Sequence, residues 1–133
     1  TIYDLASLDL SYAPPYSSAN DPVNFAAFQA MNHHSGLAPV ISPADLMARR
    51  GEFHVVDVRN AGEIEKFAFQ SEAQIPVDQL RDRQGDIPTG KPLALLCQSG
   101  QRSYIAQRIL KQSGFKDVFN ISGGYLAAAA HGA

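Results

Sequence analysis

The sequence predicts an α/β domain with a mainly parallel central sheet and helices on both faces, for two reasons. First, short apolar runs at residues 53–58, 91–97 and 116–121 (FHVVDV, KPLALLC and KDVFNI) alternate with segments of helical periodicity. Second, the first two runs are apolar on both faces, which is typical of strands inside a parallel sheet. Ligand sites of such sheets form beyond the carboxyl ends of the strands, and Cys97 stands at one of these ends.

Helix-forming segments separate these runs. Ser42 and the proline after it fit the N-cap and the first position of a helix that Gly51 ends. A second helix is predicted from near Ser103 to Gly114, because apolar residues recur there at helical spacing. After the third run, the glycine pair at 123–124 turns into an alanine-rich helix. Strands and helices therefore alternate, as they do in domains with a parallel sheet.

Length and composition narrow the class of protein. The chain has 133 residues, of which 45% are hydrophobic and 18% charged, and its formal net charge is -2. These values fit one main domain without a basic surface for nucleic acid or anionic lipid. The sequence contains neither an apolar stretch of the roughly 18 residues that span a membrane nor a recognisable signal peptide. We therefore expect a cytoplasmic protein with no nucleic-acid and no membrane partner.

The N-terminal part of the chain has a different texture. Residues 1–31 contain three prolines in a Ser-, Ala- and Asn-containing setting, with helical periodicity only from about Pro22 to Met31. Residues 32–39 are polar and suit a linker, and their adjacent histidines lack the further ligands of a metal site. We therefore predict a folded domain at 40–133, preceded by a segment that is not a self-contained fold and with no metal bound.

Cys97 is the only cysteine of the chain and opens the loop CQSGQRS. Because it cannot form an internal disulfide, it is either a buried structural thiol or a reactive nucleophile. Gly100 can adopt a positive φ, so the loop can curl with its N–H groups directed at the Cys97 sulfur, and the next helix adds its positive end. With Arg102 as a nearby cation, such surroundings lower a cysteine pKa from about 8.5 to roughly 3.5 to 7.5. The loop therefore favours a nucleophile at neutral pH.

The spacing between Cys97 and Arg102 separates two kinds of cysteine enzyme. Cysteine-dependent phosphatases need the longer spacing Cys-x5-Arg, which surrounds a tetrahedral phosphoryl group. In this chain the intervening residues are only the four in QSGQ. The narrower loop suits one additional sulfur atom on Cys97, so the spacing predicts a persulfide and argues against a phosphatase or an arsenate reductase.

Four ordered motifs within roughly residues 38–129 resemble the rhodanese family of sulfurtransferases. They are VVDVR (55–59), IPVDQL (75–80), LLCQSGQRS (95–103) and NISGGY (120–125). The resemblance implies a rhodanese-like fold in which Cys97 accepts sulfur and Arg102 is the loop arginine. It also implies that the remaining loop residues bind the substrate, namely Gln98, Ser99, Gly100, Gln101 and Ser103.

The resemblance further implies that Asp57, Arg59 and Glu63 organise polar contacts near the site. A structural ion-pair network is the alternative for these three residues. Ser99 and Ser103 would hydrogen-bond within the loop, although Ser103 fits equally well as the N-cap of the following helix.

Three features depart from the family pattern. Phe67-Ala68-Phe69 stands where many members have Gly-His-Ile, and Ala128 stands at the position of a usual tryptophan. Gln98 stands where members that handle thiosulfate often have a second cationic residue. With Arg102 as the only cation of the loop, a doubly charged inorganic donor is disfavoured.

The N-terminal stretch DLSYAPPYSSANDPVNFAAF (9–28) resembles the end of the dimerisation domain in pyridine nucleotide-disulfide reductases of the coenzyme A-disulfide reductase and NADH oxidase type. Some of those enzymes carry a C-terminal rhodanese domain. The resemblance implies that residues 1–31 are the remnant of such a reductase, whose parent chain uses FAD, NAD(P)H and coenzyme A. The glycine loops that bind FAD and NAD are absent here, so no cofactor is expected in this part. Tyr12 and Tyr16 either face the flavin-linked centre or serve as packing residues.

Together these features predict a sulfurtransferase that works by double displacement. The Cys97 thiolate takes the outer sulfur of a small-molecule donor, and a thiol acceptor then removes it, with coenzyme A persulfide or glutathione persulfide as the expected carrier. The flavin reductase domain of the parent chain is the expected partner. The alternative is a non-catalytic docking or thiol-sensing module, which would need neither Cys97 nor Arg102.

Overall fold

A computed structural model describes residues 1–10 and 21–132 of the chain. The chain divides into two compact units, Thr1–Pro39 and Val40–Ala133. Tyr12 and Tyr16, and with them the question of their orientation, lie outside the described residues.

Within the described residues, the N-terminal unit has two helices that pack on each other, α1 (Ile2–Ala6) and α2 (Pro22–His34). The side chain of Asn24, near the start of α2, donates to the carbonyl oxygens of Leu5 and Leu8 at 3.3 and 3.1 Å. Helix α1 was not predicted, because a helix of 5 residues is too short to show a periodicity. Helix α2 was predicted to end too early, so the first three positions of the predicted linker are helical.

The second unit is built on a five-stranded sheet in the order β1-β5-β4-β2-β3, in which every pair of neighbouring strands is parallel. The strands are β1 (Val40–Ile41), β2 (His54–Asp57), β3 (Ala73–Gln74), β4 (Leu93–Leu96) and β5 (Val118–Ile121). The predicted α/β fold is confirmed, and β2 and β4 lie inside the sheet as their apolar sequences predict. The two-residue edge strands β1 and β3 were not predicted, because so short a pairing leaves no alternation to detect.

Helices cover both faces of this sheet, as predicted. They are α3 (Pro43–Ala48), α4 (Ala61–Lys66), α5 (Gln101–Gln112) and α6 (Gly124–Ala130), with short 3-10 turns at Arg50–Glu52 and Gln84–Asp86. On one face, Val56 and Leu95 pack against Leu110 of α5. On the other face, Val55 and Leu96 pack against α3 and α6, where Ala128 is fully buried.

Two helix boundaries differ from the predictions. Helix α3 has its N-cap at Ser42, as predicted, but ends at Ala48, and Gly51 lies in the 3-10 turn that follows. Helix α5 begins at Gln101 because its N-cap is Gly100, which has a φ of 103°. Ser103 as the N-cap of this helix is therefore wrong. Gln101 and Arg102 belong to the first helical turn, which shortens the loop to residues 97–100.

Among the helices of the described residues, none has both the length and the apolar character needed to cross a membrane.

Candidate active site

Cys97 lies at the carboxyl edge of the sheet, directly after β4, and its side chain is buried. The parallel register brings the ends of two neighbouring strands to the same edge. Asp57 of β2 is opposite Leu96, and Asn120 of β5 is opposite Leu95. The loop that follows Cys97 is therefore flanked on both sides by buried polar side chains.

The loop directs hydrogen-bond donors at the Cys97 sulfur. The N–H of Gly100 donates to Sγ at 3.1 Å, and the hydroxyl of Ser103 lies 3.3 Å from Sγ. Burial raises the pKa of the Cys97 thiol, but hydrogen bonds from the hydroxyl and backbone of Ser103 and from the backbone of Gly100 and Ser99 lower it, with a net shift below the ordinary value. The arrangement therefore favours the thiolate, which is the nucleophilic form of cysteine.

Arg102 is directed at Glu63 of α4. Its Nη1 and Nη2 donate to the two carboxylate oxygens at 2.7 and 2.6 Å, in a two-pronged ion pair. The pair raises the pKa of Arg102 and lowers that of Glu63 to about 2. The charge of Cys97 contributes to the raised pKa of Arg102. The lowered pKa of the Cys97 thiol itself, however, is caused by hydrogen bonds from Ser103, Gly100 and Ser99. The nearby cation expected from the sequence is therefore paired with a carboxylate.

Asp57 and Arg59 form a second pair, which is separate from the first and fully buried. The guanidinium Nε and Nη2 of Arg59 donate to Asp57 at 3.0 and 2.7 Å. The same guanidinium lies 4.6 Å from the centre of the Tyr125 ring, at the start of α6. The three charged residues predicted near the site are thus divided between two ion pairs, Glu63 with Arg102 and Asp57 with Arg59. The pairs are near enough to act on each other, because Arg59 contributes to the lowered pKa of Glu63 and Asp57 to the raised pKa of Arg102.

The sequence analysis missed Asn120 as a site residue. Its side-chain N–H donates to the carbonyl oxygen of Gly100 at 3.0 Å, and its Oδ1 accepts from the Ser103 hydroxyl at 2.7 Å. The feature that points to it is a buried amide in the otherwise apolar strand VFNI, since buried polar groups need partners. Asn120 therefore links the loop to the first turn of α5.

The first turn of α6 is hydrogen-bonded to the backbone of the loop. The N–H groups of Tyr125 and Leu126 donate to the carbonyl oxygens of Cys97 and Gln98 at 2.8 and 3.1 Å. Gly124 allows this approach because its φ is 60° and because an added Cβ would collide with the Cys97 carbonyl oxygen and lie 2.8 Å from the Ser99 nitrogen. The closing glycine pair predicted from the sequence thus has a direct part in shaping the loop.

Replacing Gly124 with alanine is expected to destabilise the domain and to disturb the loop. The left-handed backbone alone costs a residue with a Cβ about 1 to 2 kcal/mol, and the collision must also displace the Cys97 carbonyl. Gly114→Ala is the matched control, because Gly114 also has a positive φ, of 98°, but has open space around its Cβ position. Both variants should melt earlier in thermal unfolding, and only Gly124→Ala should slow the alkylation of Cys97. Equal alkylation rates in the two variants would contradict this role.

A groove next to the loop is lined by Gln98, by the α4 N-cap Asn60, and by residues of α4 and the segment after it, including Glu63, Lys66 and Phe67. Gln98 is half-buried, whereas Ser99 and Gln101 are exposed. Phe67 is exposed and its ring centre lies 5.8 Å from that of Tyr125, so of the segment Phe67-Ala68-Phe69 it is Phe67 that gives this groove an apolar wall, whereas Phe69 is buried in the core. Among the described residues, no cluster of His, Cys, Asp and Glu side chains is placed to bind a metal ion.

The parallel sheet and the cysteine loop at its carboxyl edge define an α/β domain with a candidate thiol site. The chain belongs to the rhodanese-like domain family, whose model matches residues 42–131. It is 36% identical over 78 residues to a protein named sulfurtransferase from Allochromatium vinosum, and the match covers 59% of this chain and 73% of that relative. The predicted family is therefore confirmed.

Two solved structures of longer chains are highly similar to this chain over a part of their length. The reduced CoADR-RHD of Bacillus anthracis matches with a TM-score of 0.83 and 36% identity, over 98% of this chain and 24% of that chain. An NAD-dependent persulfide reductase from A. fulgidus matches with a TM-score of 0.72 and 42% identity, over 93% of this chain and 22% of that chain. The chain is thus related to the rhodanese domains of both reductases and spans a small share of each.

Proposed function

We propose that the domain transfers a sulfane sulfur through a persulfide on Cys97 to a thiol acceptor, as part of a flavin-dependent reductase of coenzyme A disulfides or persulfides. The observation that carries the proposal is the buried Cys97 sulfur, held 3.1 Å from the Gly100 nitrogen at the carboxyl end of β4. Membership of a sulfurtransferase family supports the reaction class.

Each half of the proposed reaction exchanges one S–S bond for another. In the first half, the Cys97 thiolate attacks the outer sulfur of a donor R–S–SH, which forms Cys97–S–SH and releases R–S⁻. In the second half, an acceptor thiolate attacks the outer sulfur of the Cys97 persulfide and regenerates the Cys97 thiolate. The loop N–H groups stabilise the negative charge that returns to the Cys97 sulfur in this second step. Sulfur moves without net oxidation or reduction in either half.

The charges around the thiol favour the persulfide of a thiol carrier over inorganic thiosulfate. Arg102 is neutralised by Glu63, and Arg59 is neutralised by Asp57. A dianionic donor would therefore meet no unpaired arginine among these groups. Gln98 and Phe67 instead offer an amide and an apolar surface, which suit an organic carrier such as the thiol arm of coenzyme A or glutathione.

The reductase part of the proposal concerns the N-terminal unit. The similarity to the Bacillus anthracis CoADR-RHD extends over both units. Large apolar side chains of the N-terminal unit are exposed, as expected of a surface that another part of the protein covers, among them Tyr3, Leu5, Leu8, Val23 and Phe25. The proposal assigns residues 1–31 to the dimerisation domain of the reductase. The proposal assigns FAD and NAD(P)H to the rest of the parent enzyme, and this chain has no G-x-G-x-x-G loop of its own.

Sulfur release to cyanide tests the proposal. The wild-type domain is incubated with cyanide and with coenzyme A persulfide, glutathione persulfide or thiosulfate as the donor. The rate of thiocyanate formation is then compared with that of a Cys97→Ser control. We expect turnover with the organic persulfides and weak turnover with thiosulfate. An absence of turnover with all three donors would contradict the proposal and favour a docking or thiol-sensing module.

Glu63→Gln is expected to improve the use of thiosulfate, because it releases the charge of Arg102. One partly exposed ionic contact contributes up to about 1 kcal/mol, which corresponds to roughly a fivefold gain in kcat/KM for the dianion. The matched control is Glu52→Gln, which removes the exposed Arg49–Glu52 pair before β2, at the opposite edge of the sheet. In the wild type, Glu63 has a lowered pKa of about 2, so the pair forms above that value and is lost as the pH falls through it. The two variants are compared between pH 5 and pH 8, roughly the range of maximal stability. Equal thiosulfate turnover in both variants would contradict this role of Glu63.

A further inference from the structure

We propose that Asn120 is a positioning residue for the reactive sulfur. Through the fixed orientation of its amide it holds the Ser103 hydroxyl so that one hydrogen bond alternates between Asn120 and the Cys97 sulfur. The Ser103 hydroxyl is thus an uncharged hydrogen-bond donor that binds the Cys97 sulfur when the sulfur is negatively charged and binds Asn120 when it is not. The inference rests on the proposed function only for its role in turnover.

The orientation of the Asn120 amide is determined by its neighbours. The carbonyl oxygen of Gly100 can only accept, so the side-chain N–H of Asn120 faces it at 3.0 Å. The Oδ1 of Asn120 therefore faces Ser103, whose hydroxyl lies 2.7 Å away. Asn120 is 5% exposed and Ser103 is fully buried, so the contact between Ser103 and Asn120 is shielded from water.

The Ser103 hydroxyl has two acceptors and one hydrogen. Its oxygen lies 2.7 Å from Asn120 Oδ1 and 3.3 Å from Cys97 Sγ. A hydroxyl donates one hydrogen bond at a time and keeps two lone pairs as acceptors. When Cys97 is a thiol, the hydroxyl donates to Asn120 and can accept from the S–H group. When Cys97 is a thiolate, the charged sulfur is the stronger acceptor and draws the hydroxyl hydrogen to itself.

This alternation matches the charge changes of sulfur exchange. During formation of the persulfide the negative charge leaves the Cys97 sulfur, and the Ser103 hydroxyl returns to Asn120. When the acceptor removes the outer sulfur, the charge returns to Cys97 and the hydroxyl turns back to stabilise it. When the hydroxyl turns to the thiolate, Asn120 keeps its bond to the Gly100 carbonyl oxygen but its Oδ1 loses the Ser103 donor. The stronger hydrogen bond to the charged sulfur offsets this loss, and the hydroxyl returns to Oδ1 once the charge has left the sulfur.

The charged groups around Cys97 do not donate a hydrogen bond to its sulfur when the sulfur becomes negatively charged. Asp57 and Arg59 at the end of β2 are paired with each other, and Glu63 of α4 is paired with Arg102 of α5. Each pair combines a cation with an anion, and its guanidinium donates into its own carboxylate. The hydroxyl of Ser103 is the side-chain donor that reaches Sγ within the described hydrogen bonds.

The test is a double-mutant cycle of Asn120→Asp and Ser103→Ala, read from the pH dependence of Cys97 alkylation by iodoacetamide. Asn120→Asp keeps the shape of the side chain, competes for the Ser103 hydrogen with a full negative charge and cannot donate to Gly100 when ionised. We expect it to raise the Cys97 pKa by about one unit, seen as a shift of the alkylation profile to higher pH and as roughly tenfold slower alkylation at pH values below the pKa of the wild-type thiol. Ser103→Ala should slow alkylation in the same direction.

The size of the Asn120→Asp effect in the two backgrounds decides the outcome. We expect a clearly smaller effect when residue 103 is alanine, because no hydroxyl remains for Asn120 to position. An equal effect in both backgrounds would mean that the charge acts directly on the thiol, and it would overturn the proposal, as would an unchanged pH profile in Asn120→Asp. Thermal unfolding of the same variants reports any purely structural loss. Alkylation needs no sulfur donor, so this result is independent of whether the domain transfers sulfur.

Discussion

Arg59→Ala is expected to lower the free energy of unfolding by about 3 to 5 kcal/mol, the usual cost of removing one partner of a buried ion pair. The variant leaves the fully buried Asp57 carboxylate without its counter-ion and removes the cation that packs on the Tyr125 ring. The measurement is urea unfolding followed by circular dichroism. Because Tyr125 also donates to the Cys97 carbonyl oxygen, the loop should lose order together with the pair.

Two comparisons make this prediction specific. Arg83→Ala breaks an Arg–Asp pair of the same chemistry that is exposed, so it should change stability little. The double variant Asp57→Ala with Arg59→Ala removes both charges and should be no less stable than Arg59→Ala alone. A loss in Arg59→Ala as small as that in Arg83→Ala would show that the buried pair does not stabilise the domain.

Cys97→Ser is expected to abolish sulfur transfer while leaving the fold intact. A serine hydroxyl is not ionised at neutral pH and cannot carry a sulfane sulfur as a persulfide, so no intermediate can form. The substitution is nearly isosteric, and the Gly100 N–H still has an oxygen to donate to. We expect an unchanged circular dichroism spectrum, a melting temperature close to the wild type, and no thiocyanate formed above the uncatalysed rate. Residual turnover in the variant would mean that sulfur takes another route.

The fold was largely predictable because its strands and its main helix have strong local patterns. The apolar runs at β2 and β4 could only be buried on both faces, and the spacing of apolar residues in α5 has a single helical interpretation. What could not be predicted was where α5 begins. That boundary depends on the φ of Gly100 and on the Asn120 amide that binds the Gly100 carbonyl, and Asn120 is distant in sequence.

The candidate site was predictable as a cysteine loop, but its charge balance was not. Glu63 and Arg102 are separated by 39 positions, and their pairing depends on how α4 and α5 pack at the sheet edge. Sequence spacing gives no information on such a contact. The sequence analysis therefore assigned the lower pKa of Cys97 in part to Arg102, whereas the structure assigns it to hydrogen bonds from Ser103 and from the loop backbone.

The central claim is that Cys97 carries the transferred sulfur, and intact-protein mass spectrometry tests it most directly. The wild-type domain is incubated with glutathione persulfide or coenzyme A persulfide, desalted and weighed before and after addition of a thiol acceptor. The account predicts a species heavier by one sulfur atom, mapped to the peptide that contains Cys97, which disappears when the acceptor is added and never forms in Cys97→Ser. A wild-type domain that gains no sulfur from either donor, or an adduct that persists in Cys97→Ser, would contradict it.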